Sequence, residues 1–155
     1  MNAFQKNLAA LAVVALGLGF APNARARSVA AWSGSPENFA DYTCFTENYA
    51  SATNTCSGAA RIWEVPLPID SNGPFTVTIN VTPTSSVQSV GCEVATLNSD
   101  STQSWTTFTS GLIYPTQPSV AQNITGGPAP VPNGGTLYAA CWVAEGGRIN
   151  SVNWN

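Results

Sequence analysis

The strict alternation of apolar and polar side chains over residues 75–82 constrains the fold of this chain more than any other feature. The segment FTVTINVT places Phe75, Val77, Ile79 and Val81 on one side and threonine or asparagine on the other. Successive side chains of a strand point to opposite faces, so the segment predicts an antiparallel strand with one face in the core and one in water. The alternation argues against a parallel α/β sheet, whose strands are apolar on both faces.

Further segments carry strand-like patterns, and residues that favour turns separate them. These segments are residues 61–69, 90–97, 104–109, 136–144 and 148–154, with a weaker one at 120–124. Pro66 and Pro68 lack the N–H that a ladder needs, so we expect the first of these segments to end at a sheet edge. Turn-forming residues predict a hairpin loop at 70–74, a turn at 98–101 and a long Pro/Gly loop at 126–135.

The number and spacing of these segments predict an all-β fold. About seven short strands separated by turns are typical of an antiparallel β-sandwich, either a jelly roll or an immunoglobulin-like domain. Cys92, Trp105 and Cys141 fit the immunoglobulin pattern of a disulfide packed on a tryptophan. Tyr138, however, lies three residues before Cys141, whereas the tyrosine corner of that fold needs a spacing of two. The choice between the two topologies therefore stays open at this point.

The four cysteines predict disulfide bonds, because an even number in an exported chain is typical of a disulfide framework. Three pairings are possible, and we favour Cys44–Cys56 together with Cys92–Cys141. The first pair would close a short Ser/Thr/Asn-rich loop, and the second would join two strands. Zinc sites use paired C-x₂-C spacing or histidine, and this chain has neither, so we expect no metal and no cofactor.

Residues 1–26 have the features of a secretory signal peptide. Lys6 is followed by thirteen residues, 8–20, without a polar side chain, and then by the small-x-small pattern ARA that ends at Ala26. A transmembrane helix needs roughly 20 apolar residues, so we expect cleavage after Ala26 rather than a membrane anchor. Residues 27–155 would then form a single secreted or periplasmic domain, with no membrane insertion after signal cleavage.

The charge pattern excludes several functions. Residues 27–155 contain three arginines, no lysine, no histidine and all eight acidic residues. With Lys6 and Arg25 included, the whole chain has a net charge of −3. A nucleic-acid-binding protein needs a basic patch, and the sequence has none. Without histidine the chain has no Ser–His or Cys–His nucleophile pair, and it also lacks the glycine motifs that bind phosphates or dinucleotides.

Paired carboxylates remain as the catalytic alternative, because a glycoside hydrolase holds two carboxyl groups roughly 5–10 Å apart. Asp70 and Asp100 lie in turn sequences, where a carboxylate caps its own backbone. Glu64 and Glu93 lie on strands whose other side is apolar, so they are expected to face water. The segment DSNG that begins at Asp70 is better explained by an ordinary turn than by a calcium loop. We therefore predict a protein that is not an enzyme.

Aromatic side chains give the strongest indication of a binding site. If Cys141 faces the core, Tyr138 and Trp142 point outward from the same strand and form a platform. Exposed rings of this kind hold sugars or peptides by stacking. The alternatives are that both faces of this strand are covered, or that the two rings pack against Trp154 and the Pro-rich loop. Trp63 shares its side with apolar neighbours, so we assign it to the core.

The order of segments carries a resemblance. A cysteine-bounded Ser/Thr/Asn stretch is followed by a PLP strand end, by GCEVATLNSD and by LYAACWVAEGGRINSVNWN. In this the chain resembles a group of small exported bacterial proteins with no assigned activity. The resemblance implies a secreted β-sandwich whose second cysteine pair fixes two strands, and it carries over no catalytic residue.

Together these patterns favour a secreted binding or surface-structural module. Its partner would be a neutral polysaccharide or an extracellular protein, because the domain offers aromatic rings and few charges. The alternatives are a purely structural envelope or matrix protein and a carboxylate-based glycoside hydrolase.

Overall fold

The computed structural model describes residues 26–102, 104–106 and 111–155, and for residues 104–106 it describes the backbone alone. Apart from Ala26, the signal peptide lies outside these residues, as do the last three residues of the strand expected at 104–109. The cleavage site therefore stays a prediction. Within the described part of the chain, no helix has the length and apolar character to cross a membrane.

The described strands form two antiparallel sheets that pack face to face, which confirms the antiparallel β-sandwich. Sheet A contains β1 (Arg27–Ala30), β3 (Phe45–Asn48), β4 (Ser51–Asn54), β6 (Gly73–Thr82), β9 (Gln122–Val131) and β11 (Arg148–Trp154). Sheet B contains β2 (Ser35–Pro36), β5 (Arg61–Leu67), β7 (Val90–Leu97), β8 (Ser104–Thr106) and β10 (Thr136–Val143). Short 3₁₀ helices span Ala31–Ser33, Phe39–Cys44 and Val87–Ser89.

The strand order resolves the topology that the sequence left open. Sheet A has the order β3-β4-β11-β6-β9, with β1 also paired to β11, and sheet B has the order β2-β5-β10-β7-β8. From β4 to β11 the chain changes sheet after every strand except β7, as in a jelly roll. An immunoglobulin disulfide joins the two sheets, whereas Cys92 and Cys141 face each other on neighbouring strands of sheet B.

The core lies between the sheets and is filled by the inward side chains of both. On β6, Val77, Ile79 and Val81 are buried while the intervening threonines and Asn80 are not, so the predicted alternation is confirmed. Trp63 on β5 is fully buried, as expected, and its ring lies 4.6 Å from that of Phe45. A buried indole N–H needs an acceptor, and Trp63 Nε1 donates to the Ala31 carbonyl at 2.8 Å.

Two disulfides, Cys44–Cys56 and Cys92–Cys141, have the pairing that the sequence favoured. The first brackets the β3–β4 hairpin, and the second joins β7 to β10 with both cysteines buried. Asn54 adds a polar connection between the sheets. Its side-chain amide donates to the Val143 carbonyl at 2.7 Å, and its oxygen accepts from the Cys56 N–H at 2.9 Å.

The hairpin predicted at residues 70–74 is wrong. The strands on either side of it, β5 and β6, belong to different sheets, so these residues carry the chain across the sandwich. Turn-forming residues reverse the chain direction, but they do not determine which sheet the next strand joins. Arg27 fixes the crossing, because its guanidinium donates to the Pro68 carbonyl at 3.1 Å and forms an ion pair with Asp70.

The long loop predicted at residues 126–135 is also wrong. Strand β9 continues to Val131 and pairs with β6, and the turn occupies only residues 132–135. Proline is tolerated in β9 because that strand lies at the edge of sheet A, where an N–H is not required on the open side. The same rule applies to β5, whose Pro66 end has no described partner on the side away from β10, as predicted.

The sequence pattern does not predict strands β3 and β4. Both lie in the Ser/Thr/Asn-rich stretch between Cys44 and Cys56, whose composition is typical of a loop. The described residues form eleven strands, where the sequence indicated fewer. The inward positions of β4 are occupied by Ala52 and Asn54, so this edge hairpin shows none of the bulky alternation that marks β6.

Candidate functional site

Tyr138 and Trp142 lie side by side on the outer face of sheet B. Their strand, β10, is the middle strand of that sheet and pairs with β5 on one side and β7 on the other. Cys141 is fully buried in the core, so alternation turns the two aromatic residues outward, where both are half-buried. Four residues along a strand place their Cα atoms about 13 Å apart.

A row of one alanine and two glutamates separates the two rings. Ala140 faces Glu64 of β5 and Glu93 of β7 in the strand register. Ala140 is only 3% exposed although it lies on the outer face, because larger neighbours surround it. The expectation that Glu64 and Glu93 face outward from an apolar strand is thus met, but both side chains are half-buried.

The surroundings of this row alter its acid–base properties. Burial raises the pKa of Glu64, with a further contribution from the charge of Glu37, and burial also raises the pKa of Glu93. Burial together with the nearby glutamates raises the pKa of Tyr138 above its usual value of 10.0. The Tyr138 phenol therefore keeps its proton at neutral pH and is available as a hydrogen-bond donor.

A groove of about 370 Å³ opens beside Tyr138 at one end of the sheet. Tyr138, Pro66 and Leu97 give it apolar walls, while Glu64 and Thr136 contribute polar groups. Ligand sites in proteins have volumes of roughly 300–1,000 Å³ and combine apolar walls with a few polar groups. The groove is large enough for a sugar ring beside Tyr138.

Tyr114 belongs to the same face and was not singled out from the sequence. Its ring lies over Gly91, the β7 residue opposite Trp142, and a Cβ atom on Gly91 would stand 2.4 Å from Tyr114 Cε1. The segment is held by two backbone hydrogen bonds of 2.9 Å between Cys92 and Ile113. A glycine inside a strand often marks a close approach by another group, so Gly91 was the signal that could have revealed this contact.

The alternative that Trp154 and the Pro-rich segment cover the platform is wrong. Trp154 is buried on the inner side of sheet A, where its indole N–H donates to the Pro68 carbonyl at 3.2 Å. Residues 126–131 of the Pro-rich segment belong to β9, also in sheet A, and residues 132–135 form the turn before β10. Trp154 and β9 therefore belong to the sheet opposite Tyr138 and Trp142.

The carboxylates in turns have local roles. Asp70 pairs with Arg27. Asp100 accepts from the Thr102 hydroxyl at 2.6 Å and the Thr102 N–H at 3.0 Å, and these bonds lower the pKa of Asp100. Among the described residues, no group of three or more histidine, cysteine or acidic side chains is placed to hold a metal ion.

No protein-family model matches the sequence, and no curated protein matches it. Solved structures do match by shape. The CBM36-1 domain of a multidomain xylanase from the hindgut metagenome of Trinervitermes trinervoides aligns with a TM-score of 0.51 at 11% identity, covering 84% of this chain and 97% of that one. At this identity the match shows a shared β-sandwich fold.

Two further structures align less well. The low-affinity xylan-binding module CBM86 from Roseburia intestinalis aligns with a TM-score of 0.47 at 8% identity, over 84% of this chain and 95% of that one. A carbohydrate-binding module from Cellvibrio mixtus lichenase 5A, solved with cellotriose, aligns with a TM-score of 0.41 at 13% identity, over 83% and 95%.

Proposed function

We propose that this protein is a non-catalytic binding module for a neutral polysaccharide outside the cytoplasm. The observation that carries the proposal is the outward pair of Tyr138 and Trp142 on the middle strand of sheet B, next to a groove of about 370 Å³. Two supporting facts are the fold shared with a carbohydrate-binding module of a xylanase and the two disulfides, which suit an oxidising compartment.

The geometry suits a chain of sugars better than a single one. Tyr138 and Trp142 lie about 13 Å apart along the strand, so a ligand that contacts both must extend over several sugar rings. The Tyr138 hydroxyl and the Glu64 carboxylate supply one donor and one acceptor for sugar hydroxyls at the groove. The two glutamates of the row between the rings disfavour an acidic chain on this face.

A glycoside hydrolase is the second candidate, because Glu64 and Glu93 flank Ala140 on one face. Their strands are two inter-strand spacings apart, about 10 Å, near the upper end of the carboxyl separations in such enzymes. A general acid and a carboxylate base need environments that move their pKa values apart. Here the pKa of each glutamate is shifted upward, mainly by burial, so the directions of the two shifts do not set one glutamate apart as acid and the other as base.

Titration of the oxidised protein with soluble neutral polysaccharides, followed by tryptophan fluorescence and calorimetry, tests the proposal. We expect Trp142→Ala and Tyr138→Ala each to weaken binding about tenfold or more, since a stacked ring contributes roughly 0.5–1.5 kcal/mol in addition to the free energy of its buried apolar area. Matched controls exist elsewhere on the surface. Trp32 is 57% exposed and Tyr42 is 52% exposed, and both lie in 3₁₀ helices rather than on β10, so Trp32→Ala and Tyr42→Ala should bind normally.

Two outcomes would contradict the proposal. Absence of binding across the polysaccharide panel would favour a structural or protein-binding role. Release of reducing ends from a bound polysaccharide, abolished by Glu64→Gln or Glu93→Gln, would establish the hydrolase instead.

A further inference from the structure

A second groove, of about 350 Å³, lies on the outer face of sheet A where β3, β4 and β11 meet. Threonine hydroxyls from β3 and β4 line it, together with the Asn150 amide, the Tyr49 ring and the Arg148 guanidinium. The groove thus combines hydroxyl and amide groups with one aromatic side chain and one cation. Tyr138 and Trp142 lie on the other sheet, so this groove is independent of the proposed function.

Tyr49 occupies a position that folding alone does not favour. It is 97% exposed and sits at the tip of the β3–β4 hairpin, in the two-residue turn between Asn48 and Ser51. Tyr49 has φ 47° and Ala50 has φ 69°, a conformation for which such turns prefer Asn-Gly. Non-glycine residues in this region are strained, and strain of this kind is concentrated at functional sites. The exposed ring gains no packing energy in return.

A disulfide and a hydrogen bond constrain the hairpin that carries Tyr49. The Cys44–Cys56 disulfide closes its open end, and the Ser51 hydroxyl donates to the Asn48 carbonyl at 2.5 Å. Next to it, β11 has a bulge between Ile149 and Ser151 that accommodates Asn150 as an extra residue. Bulges re-aim side chains and are over-represented beside binding sites. Asn150 donates to Asn80 at 2.7 Å and to Thr82 at 3.0 Å, which fixes its amide at the groove.

Arg148 differs from the other two arginines of the described domain. Arg27 pairs with Asp70 and Arg61 pairs with Asp41. Arg148 forms no ion pair with any described residue, and its guanidinium makes a bond of 3.5 Å to the Thr82 hydroxyl. Alternation along β3 places Glu47 on the side of the strand opposite Thr46, which lines the groove. The guanidinium N–H groups of Arg148 are therefore available to donate to a planar carboxylate of a ligand.

We propose that this groove binds an acidic sugar residue, a uronate within a polysaccharide. Arg148 binds the sugar carboxylate, the Tyr49 ring stacks on the face of the sugar, and Asn150 with the threonine hydroxyls contacts the sugar hydroxyls. The net charge of the whole chain is −3, which repels an acidic polymer, so binding depends on the local Arg148 contact. A site on each outer face would let one molecule bind a neutral and an acidic chain together.

Calorimetry with the full oxidised domain tests this inference, using a uronic acid oligomer and the same oligomer with its carboxyl groups reduced to alcohols. We expect the acidic oligomer to bind and the reduced one to bind at least about tenfold more weakly, since a hydrogen bond to a charged group is worth about that much. Arg148→Gln should lose the same factor. Arg27→Gln is the matched control and should bind as the wild type does.

Tyr49→Gly separates a binding role from a folding role. It should weaken binding of the acidic oligomer about tenfold while the thermal midpoint stays the same or rises, because the stacking ring is lost and glycine relieves the strained turn. Equal affinity for the acidic and reduced oligomers, or wild-type affinity of Arg148→Gln, would overturn the inference. Displacement of the oligomer by inorganic sulfate as readily as by free uronate would also overturn it, because that result indicates a general anion contact. Trp142→Ala should leave this binding intact, so the two sites can fail separately.

Discussion

The side chains on the outer faces of the two sheets differ in whether they bond to each other. On sheet A, hydroxyl and amide groups bond to each other across strands, with 2.7 Å between Asn80 and Asn123 and 3.2 Å between Thr78 and Thr125. On sheet B, the corresponding positions hold Tyr138 and Trp142, whose ring faces cannot be satisfied by neighbouring hydroxyl groups.

This difference separates stability from binding. The hydrogen-bonded ladder of sheet A uses its polar groups within the protein, so its outer face contributes to folding. On sheet B the outward aromatic side chains are only half-buried. Their remaining exposed surface adds little to folding stability and is available to bind a ligand. The exception on sheet A is the groove at Arg148, which lies where the bulge in β11 interrupts the regular ladder. Binding capacity is therefore expected where the side chains of a face are not already paired.

The largest expected effect compares the disulfides of the two sheets. Cys92–Cys141 spans 49 residues of sequence and Cys44–Cys56 spans 12. By loop-closure entropy, the Cys92→Ala/Cys141→Ala pair should lower the free energy of unfolding by about 4 kcal/mol and the Cys44→Ala/Cys56→Ala pair by about 3 kcal/mol. Urea unfolding measures both. The reduced wild type is the control that keeps the sulfur atoms in the core, and a larger loss for the Cys44–Cys56 pair would contradict this ranking.

The next effect tests whether the ladder of sheet A is structural. Asn80→Ala removes two hydrogen bonds of 2.7 Å, one to Asn123 and one from Asn150. At about 1 kcal/mol per bond, the free energy of unfolding should fall by about 2 kcal/mol. Thr125→Ala removes one bond, to Thr78, and should cost about half as much. Both variants should bind neutral polysaccharide normally. A loss of that binding would show that sheet A takes part in the sheet B site.

Much of the fold followed from local pattern where a strand has one buried face. Alternation predicted β6, because burial on one side leaves a period of two, and strand-like patterns predicted β7, β10 and β11. The pattern failed at edges. Strand β9 contains prolines that only an edge accepts, and the inward residues of β4 include Asn54, whose burial depends on its bond to Val143 in the opposite sheet. Such positions are determined by distant partners.

The candidate site followed from sequence only in part. Tyr138 and Trp142 could be placed together because they share one strand, and the buried Cys141 fixes which way that strand faces. Tyr114 reaches the same face from a segment that pairs with β7 through a single residue. Such a short pairing leaves no alternation of apolar and polar residues from which Tyr114 could be predicted. The Arg148 groove joins residues from three strands, and a free arginine is recognisable only when the partners of the others are known.

A smaller effect concerns the strained turn at the edge of sheet A. Ala50 has φ 69°, so Ala50→Gly should raise the free energy of unfolding by about 1 kcal/mol. Gly134, in the turn before β10, has the same φ of 69°, and Gly134→Ala is the reciprocal control, expected to lower stability by a similar amount. Binding of the acidic oligomer should be unchanged in Ala50→Gly because Tyr49 is retained. No gain in Ala50→Gly would mean that the turn is not strained at this residue.

The smallest effect is a pH dependence that distinguishes sheet B from the turns. Burial raises the folded pKa of Glu64 and Glu93 above 4.5, so the folded protein retains protons that the unfolded chain has already released. Stability from these groups is therefore greatest below pH 4.5 and falls as the pH rises through the folded pKa values. The effect should be smaller than the three above, because both side chains remain partly solvated.

The Glu64→Gln/Glu93→Gln variant should flatten this part of the curve of melting temperature against pH. Asp100 should act in the opposite direction, since the bonds from Thr102 lower its folded pKa below 3.8 and its contribution is lost as the pH falls. Asp100→Asn should therefore flatten the curve only at the acidic end. If the double glutamine variant kept the wild-type curve above pH 4.5, the two glutamates would be fully solvated. Trp142 and Tyr138 would then lie on a more open face than their half-buried positions indicate.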